Sequence, residues 1–285
     1  MNLILLTPQD CPQTDTAILT GRRLQHVLAV HQAQVGQTLR VGMLNGQMGE
    51  GEIIRLDEQA LHLQFQLTQA PPEKLPLTLL LALPRPKMLK RILQTVATMG
   101  VPRLILMNSY RVEKSFWDSP FLQPKAIQHE LILGLEQARD TVLPEVMLEK
   151  RFKPFVEDRL PSLSANSLRL VAHPIAEQSC PRAVNQSVTL AIGCEGGFIP
   201  YEVDLLAQQE FQAVQLGERI LRVETAVTAF YECLGVVIKL SLNCSILTQH
   251  HNNNNKVSCV AHRHPLACFV ILLLDNLSFA STNSP

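Results

Sequence analysis

The sequence lacks several patterns that would assign it to a common class of protein. Its two glycine-punctuated loops match neither the dinucleotide-binding pattern G-x-G-x-x-G nor the phosphate-binding pattern that ends in Gly-Lys-Ser/Thr. Its seven cysteines are an odd number without any C-x-x-C pair, which argues against a disulfide framework and suits a reducing compartment. The first residues lack the pattern of a signal peptide, so we expect none, and the apolar run 265–274 is shorter than the ~20 residues that span a bilayer. We therefore expect a cytoplasmic protein without a membrane contact.

The chain also has no net charge, since 25 basic side chains balance 25 acidic ones. Its 285 residues are 46% hydrophobic, which is enough for two globular domains with buried cores. The cations are nevertheless clustered, because the segment 84–114 carries seven of them against the single acid Glu113. They are Arg85, Lys87, Lys90, Arg91, Arg103, Arg111 and Lys114. The cluster predicts either a phosphate-binding surface or a solvated helix face.

Residues 1–70 have the pattern of a small β-rich domain. Alternating apolar residues bounded by turn signals, such as Asn45-Gly46, predict a barrel with one helix. The predicted strands are Leu3–Leu6, Thr38–Leu44, Gly49–Leu56 and Leu61–Leu67, and the predicted helix is Arg22–Val30. Three prolines then mark residues 71–76 as a linker, because proline resists both a helix interior and a central strand.

Residues 77–240 alternate continuous apolar runs with amphipathic segments, which is typical of an α/β domain around a mainly parallel sheet. The predicted strands are Leu77–Leu83, Arg103–Met107, Glu145–Glu149, Leu168–Ala172, Val188–Ile192 and Ala213–Leu216. The predicted helices are Lys87–Met99, a helix after Ser119-Pro120, Tyr201–Glu210 and Glu224–Leu240. In such sheets ligands bind beyond the carboxyl ends of the strands, where both glycine-punctuated loops fall.

The first of these loops lies within 190–198 and the second within 216–226, and each follows a strand and opens a helix. Glu195 and Glu224 place negative charge where a nucleotide's phosphates would lie, so a phosphate ligand is disfavoured. A ligand with an ammonium and a sulfonium group, such as S-adenosylmethionine, would be attracted instead. A nucleotide pocket in an unrelated α/β enzyme remains the alternative.

Two segments carry a family resemblance: IGCEGGF at residues 192–198 and LGERILRVETA at residues 216–226. They are similar to the signature of the RsmE-type 16S ribosomal RNA uracil-N3 methyltransferases, a branch of the SPOUT superfamily. The resemblance covers about residues 1–240 and extends to His173-Pro174, Glu136-Gln137 and Arg111. It implies a SPOUT-like knotted α/β methyltransferase domain after a PUA-like RNA-binding β-barrel.

The resemblance also implies a function. The expected reaction is S-adenosylmethionine-dependent methylation of N3 of a specific uridine in 16S ribosomal RNA of the small ribosomal subunit. The expected assembly is a homodimer, and no metal is expected.

Site residues follow from the resemblance and from the chemistry of the two loops. The glycines let a ligand approach the backbone, and the apolar side chains Ile192, Leu216, Ile220 and Leu221 are predicted to line the adenine pocket. The complete predicted cofactor set is His173, Ile192, Gly193, Glu195, Gly196, Gly197, Leu216, Gly217, Ile220, Leu221, Thr225 and Ala226.

The predicted catalytic residues are Arg222 and Glu224. The Arg222 guanidinium stays protonated and so is expected to stabilise the anion that develops on the uracil oxygens, or to grip a phosphate, rather than to act as a base. Glu224 or Glu195 is expected to orient it. In the alternative, Arg222 and Glu224 only cap the helix and pair with each other.

The predicted RNA-binding residues are Arg22, Arg23, Arg85, Lys87, Arg91 and Arg111. Phe116 and Trp117 are candidates for stacking on a base or for core packing. The sequence departs from the family pattern at Cys194, which replaces a proline, and at Ala29, Thr95 and Thr98. Because these changes touch RNA contact more than cofactor binding, a non-catalytic RNA-binding or ribosome-assembly factor remains an alternative.

The final segment, 241–285, lies outside the resemblance and is predicted to be disordered. Cys259, His262, His264 and Cys268 are spaced unlike a standard zinc finger, so we predict no metal site there.

Overall fold

The computed structural model describes residues 2–235. The last residues of the helix predicted over Glu224–Leu240, the tail prediction and the four potential zinc ligands lie outside the described residues. Within them, no helix is long and apolar enough to cross a membrane.

The first part of the chain forms a five-stranded sheet with its own core. Its strands are β1 (Ile4–Leu6), β2 (Thr16–Leu19), β3 (Thr38–Met43), β4 (Met48–Leu56) and β5 (Leu61–Gln69), in the order β1-β3-β4-β5-β2, and helix α1 (Gly21–His26) follows β2. Alternate residues such as Ile53, Leu61 and Leu63 are fully buried, because period-two patterning puts them on one face. All four predicted strands are present, and β2 was not predicted. The PUA-like barrel stays a prediction.

The rest of the described chain forms a seven-stranded sheet in which all neighbours are parallel. Its strands are β6 (Leu77–Ala82), β7 (Arg103–Met107), β8 (Glu145–Glu149), β9 (Leu168–Ala172), β10 (Gln178–Ser179), β11 (Val188–Ile192) and β12 (Gln212–Gln215). Their order is β10-β12-β9-β11-β6-β7-β8. The α/β prediction is confirmed.

Helices connect these strands. They are α2 (Pro86–Thr98), α3 (Pro124–Ala138), α4 (Phe152–Pro154), α5 (Leu160–Leu163), α6 (Pro200–Gln208) and α7 (Val223–Leu234). The helical segment between β8 and β9, which contains α4 and α5, was not predicted from the sequence. The sheet order sets where function can lie, because the loops after neighbouring parallel strands meet at one edge.

The two parts of residues 2–235 are joined by buried polar contacts. The backbone N–H groups of Asn2 and Leu3 donate to the Glu136 carbonyl oxygen, at 3.0 and 3.1 Å. The buried Glu136 carboxylate forms an ion pair with Arg22 at 2.8 Å. Burial raises the pKa of Glu136, and the Arg22 charge opposes that rise. Arg22 therefore has a structural role at the junction between α1 and α3.

Helices α2 and α3 approach each other closely at Gly134. A Cβ atom at this position would overlap the carbonyl oxygen of Gln94 and would lie 2.8 Å from the Cβ of Ala97. The Thr98 hydroxyl donates to the Gly134 carbonyl at 3.2 Å, across the same contact. A glycine in the middle of α3 is thus required by packing between the helices.

Gly134→Ala should destabilise the protein, although alanine is the better helix former by about 1 kcal/mol. The overlap with the Gln94 backbone cannot be relieved by a rotamer change, so we expect a net loss of about 1–3 kcal/mol in the free energy of unfolding. Urea denaturation measures it. Gln128→Ala, at an exposed position of the same helix, is the matched control and should change stability by less than ~0.5 kcal/mol. Unchanged or greater stability of Gly134→Ala would contradict this packing.

Candidate active site at the carboxyl ends of the strands

A cavity of 1190 Å³ opens at the carboxyl edge of the seven-stranded sheet. It is bounded by the loops that follow β6, β7, β9, β11 and β12 and by the start of α7. Strands β9 and β11 are neighbours, and β12 pairs with β9 on its other side, so the sheet order brings both glycine-punctuated loops to one place. We call residues 193–198 the first loop and residues 216–222 the second loop.

The first loop is a tight turn that only glycine permits. A Cβ atom at Gly193 would lie 2.8 Å from the Gly197 Cα and 3.0 Å from the Phe198 nitrogen. Gly197 has a φ of 70°, a left-handed conformation that side chains disfavour, and its N–H donates to the Cys194 carbonyl at 2.8 Å. The turn therefore exposes backbone to the cavity without an intervening side chain.

Two neighbouring loops hold the first loop in place. The Arg85 backbone N–H, before α2, donates to the Glu195 carboxylate at 3.0 Å. The Arg111 guanidinium, in the loop after β7, donates to the Gly196 carbonyl, and its side chain packs against the Gly196 Cα. Glu195 and Arg111 are thus both fixed at the cavity rim.

A buried carboxylate links the same elements from behind. Glu202, at 2% exposure in the first turn of α6, accepts hydrogen bonds from the Tyr110 backbone N–H at 2.7 Å and the Ile199 backbone N–H at 3.0 Å. Glu202 therefore ties the loop after β7 to the end of the first loop. Glu202 is not among the predicted site residues, because its partner Tyr110 is distant in sequence.

Replacing the buried Glu202 should cost stability because two backbone N–H groups in partly buried hydrogen bonds lose their acceptor. For Glu202→Ala we expect a loss of about 1–3 kcal/mol in the free energy of unfolding. The control is Asp204→Asn, at an exposed carboxylate on the same helix, which should change stability by less than ~0.5 kcal/mol. Equal effects of the two substitutions in urea denaturation would show that the Glu202 contacts are unimportant.

The second loop presents Arg222 to the cavity at the start of α7. Arg222 is exposed and precedes the first helical residue, and its side chain makes no capping hydrogen bond. Among residues 2–235, no carboxylate lies within 4 Å of its guanidinium as an ion pair. The proposed alternative, in which Arg222 and Glu224 pair with each other, is therefore not the observed arrangement.

Almost all predicted cofactor residues lie around this cavity. The lining includes His173, Ile192, Gly193, Glu195, Gly196, Gly197, Leu216, Gly217, Ile220, Leu221 and Ala226, together with Arg222 and Glu224. Thr225 is exposed and does not line it. Ile220 lines the cavity but is 86% exposed, so it lies at the mouth rather than in a closed apolar pocket.

The predicted RNA-binding residues divide into two groups. Arg85, Lys87 and Arg111 line the cavity, and Arg91 is exposed on α2 outside it. By contrast, the Arg23 guanidinium donates to Asp10 at 2.6 Å and to the Leu5 carbonyl at 2.7 Å.

The Arg23 contacts also control the charge of their partner. Burial acts to raise the pKa of Asp10, but hydrogen bonds from Arg23 and Thr7 outweigh it and hold the pKa below its usual value. Arg23 is thus committed to a contact within the N-terminal sheet.

Part of the cavity wall was not predicted from the sequence: Met88, Phe121, Arg219 and Phe230 also line it. Phe116, a predicted candidate for stacking on a base, lines it as well. The Lys90 ammonium lies 4.2 Å from the Phe121 ring centroid. Trp117 was predicted together with Phe116 as a candidate for stacking on a base. Its indole N–H donates to the Asn108 side chain at 2.9 Å, and the ring packs against the core.

The cavity suits an organic cofactor better than a metal ion. Its volume exceeds that of ordinary single-ligand pockets, and it combines glycine backbone, apolar side chains and the carboxylates Glu195 and Glu224. In residues 2–235, no group of three or more His, Cys, Asp or Glu side chains is placed to hold a metal.

Known proteins resemble this chain in sequence. Residues 71–235 match the model of the RNA methyltransferase domain family. Ribosomal RNA small subunit methyltransferase E of Treponema pallidum is 28% identical over 236 residues, which cover 80% of this chain and 88% of that protein. Ribosomal RNA small subunit methyltransferase E 1 of Borreliella burgdorferi is 26% identical over 235 residues, covering 80% and 95%.

Solved structures share the fold. Ribosomal RNA small subunit methyltransferase E of Neisseria gonorrhoeae, solved with bound S-adenosylmethionine, has a TM-score of 0.63 at 21% identity and covers 81% of this chain and 95% of its own. A Legionella pneumophila protein in complex with the same cofactor has a TM-score of 0.64 at 21% identity, with the same coverage. Because the family model matches more than half of the 285 residues, the chain belongs to the RNA methyltransferase domain family, and the resemblance seen in its sequence is confirmed.

Proposed function

We propose that this protein uses S-adenosylmethionine to methylate N3 of a specific uridine in the 16S ribosomal RNA of the small ribosomal subunit. The observation that carries the proposal is the meeting of the two glycine-punctuated loops at one cavity. The bound cofactor in two structures of the same fold supports its identity. The names of the relatives support ribosomal RNA as the substrate.

The first loop is proposed to hold the cofactor mainly through its backbone. Gly193, Gly196 and Gly197 leave peptide groups open to the cavity, and Ile192 and Leu216 supply apolar surface for the adenine. The Glu195 carboxylate, fixed by the Arg85 N–H, favours the positive charges of the ligand. When bound, S-adenosylmethionine supplies an electrophilic methyl group. The loops contribute by holding it in line with the acceptor nitrogen.

Arg222 is proposed as the catalytic residue. Glu224 lines the same cavity and stays a proposed catalytic residue, although it forms no ion pair with Arg222 within residues 2–235. Methylation at N3 requires loss of the imide proton, which leaves negative charge on the uracil oxygens. A permanently charged guanidinium at the cavity stabilises that charge, and Arg222 has no ion-pair partner in the described chain that would compete.

The RNA backbone is proposed to contact Arg85, Lys87 and Arg111 at the cavity rim, with Arg91 further along α2. Arg22 and Arg23 are proposed to act mainly in positioning α1, because each has a carboxylate partner.

The N-terminal sheet is proposed to serve as a PUA-like RNA-binding barrel. As the resemblance implies, the protein is proposed to work in the cytoplasm as a homodimer, which analytical ultracentrifugation tests.

Two experiments test this function. Calorimetry with S-adenosylmethionine and with ATP should show binding of S-adenosylmethionine only. Tight binding of ATP alone would favour an enzyme with a nucleotide pocket.

Mass spectrometry of 16S ribosomal RNA from a deletion strain should show that one N3-methyluridine is lost. Unchanged N3-methyluridine would support the non-catalytic alternative or another target.

A further inference from the structure

The edge of the sheet beyond the cavity carries a second set of exposed residues. Tyr110 is 79% exposed in the loop after β7, and Lys150 and Arg151 are exposed directly after β8. Strands β7 and β8 pair in parallel, with Met107 opposite Glu149, so these residues emerge at the same edge. Sequence analysis assigned no role to any of the three.

The exposure of Tyr110 belongs to a loop that is fixed. The Asn108 N–H donates to the Glu149 carbonyl at 2.8 Å, and the Tyr110 N–H donates to Glu202 at 2.7 Å. The next residue, Arg111, is held by the Gly196 carbonyl. A rigid backbone thus presents an aromatic ring to solvent, beside the cavity rim.

Lys150 and Arg151 follow β8 near this loop, and their positive charges are available to bind a partner. The Lys150 ammonium lies 5.9 Å from the Trp117 ring centroid, and Phe152 packs against Phe198 of the first loop with ring centroids 6.3 Å apart. Glu149, the nearest acid in sequence, is paired with Arg159. Among residues 2–235, neither Lys150 nor Arg151 forms an ion pair.

An exposed aromatic ring at the same sheet edge as two cations that form no ion pair within residues 2–235 suits single-stranded nucleic acid, because every base has a face that stacks and every linkage carries a charge. We propose that Tyr110, Lys150 and Arg151 form a binding track for the single-stranded RNA that flanks the target uridine. The Tyr110 ring stacks on one base, and the two cations contact phosphates. We call these three residues the β8 track. The inference rests on the proposed function, since it takes RNA as the substrate.

The β8 track extends the row of cations at the cavity rim along the edge of the sheet. Arg85 follows β6, Arg111 follows β7, and Lys150 and Arg151 follow β8, which are consecutive strands in the sheet order. Adjacent strands are about 4.8 Å apart, so the cations span about 10 Å of the edge. Over that distance, the cations can contact about one or two nucleotides of RNA beyond the cavity.

The test measures binding of a short fluorescein-labelled oligouridine by fluorescence anisotropy. Tyr110→Ala should weaken binding roughly tenfold, and Tyr110→Phe, which keeps the ring, should restore it. Lys150→Ala combined with Arg151→Ala should lower the slope of log affinity against log salt by about 1.4, as expected for two phosphate contacts of a single strand. Arg103→Ala is the control, because Arg103 lies at the amino end of β7, paired with Glu145 at 2.7 Å, and should bind like the wild type.

Wild-type affinity in both Tyr110→Ala and the double variant, or no measurable binding by the wild type, would overturn the track. A change in sedimentation of Tyr110→Ala with unchanged RNA affinity would overturn it too, because the ring would then serve contact between two copies of the chain.

Methyl transfer to small ribosomal subunits separates this inference from the proposed function. Equal kcat/KM for wild type and variants refutes the track alone. Absence of transfer and of S-adenosylmethionine binding by the wild type refutes the proposed function, while the oligouridine result still decides the track.

Discussion

Gly193→Ala should weaken S-adenosylmethionine binding by about 10- to 100-fold. The added methyl group would lie 2.8 Å from the Gly197 Cα and 3.0 Å from the Phe198 nitrogen, and both are backbone atoms that no rotamer change can move. The first loop must open to admit it, at a cost of about 1.4–2.8 kcal/mol, which corresponds to that range of affinity. Isothermal titration calorimetry measures the effect.

Cys194→Ala is the matched control for this substitution. Cys194 is the next residue, its thiol lies 3.9 Å from the Ser109 hydroxyl, and removing it adds no atom to the turn. We expect its cofactor affinity to stay close to that of the wild type, and thermal unfolding of both variants checks that the fold is intact. Wild-type affinity in Gly193→Ala would mean that the first loop does not hold the cofactor.

Arg222→Ala should reduce kcat for methyl transfer by about 10²- to 10³-fold, with nearly normal S-adenosylmethionine affinity. The guanidinium is expected to act on charge that exists only in the transition state, so its loss should leave the ground-state complex almost unchanged. Arg222→Lys keeps the charge but not the planar fork, and should give an intermediate kcat. Single-turnover transfer of a labelled methyl group, with calorimetry of the cofactor, separates the two effects.

Arg219→Ala provides the control, because Arg219 is an exposed arginine of the same loop that also lines the cavity. Its removal lowers the local positive charge equally but should change kcat much less than Arg222→Ala. Equal losses in the two variants would indicate a general electrostatic effect. Wild-type turnover of Arg222→Ala would leave Arg222 with a role only at the start of α7.

The central strands were predictable from the sequence because each is a continuous apolar run. Strands β7 and β11 have the predicted boundaries, since burial on both faces removes the ambiguity of an alternating pattern. The edge strand β8 and the partly exposed strand β9 also have the predicted boundaries. The glycine-punctuated loops were predictable for a related reason. The first loop comes directly after such a run and the second after the predicted strand Ala213–Leu216, and the carboxyl ends of parallel strands share one edge.

Other features depend on contacts that local sequence does not record. Strand β2 is short and lies at the end of the first sheet, so only its pairing with β5 distinguishes it from a loop. The wall formed by Met88, Phe116 and Phe121 follows from the sheet order, in which β6 pairs with β11 and β7 pairs with β6 on its other side. Thr98, a departure from the family pattern, donates across the α2–α3 contact, which shows a packing role that composition does not reveal.

The most direct test of the account is methyl transfer by the purified protein. Small ribosomal subunits from the deletion strain are incubated with the protein and S-adenosylmethionine carrying a ¹³C-labelled methyl group, and the RNA is digested to nucleosides for mass spectrometry. We predict labelled N3-methyluridine, and about 10²- to 10³-fold slower labelling in a parallel reaction with Arg222→Ala. Label in another nucleoside would contradict the assigned acceptor atom, and RNA without any label would contradict the proposed activity itself.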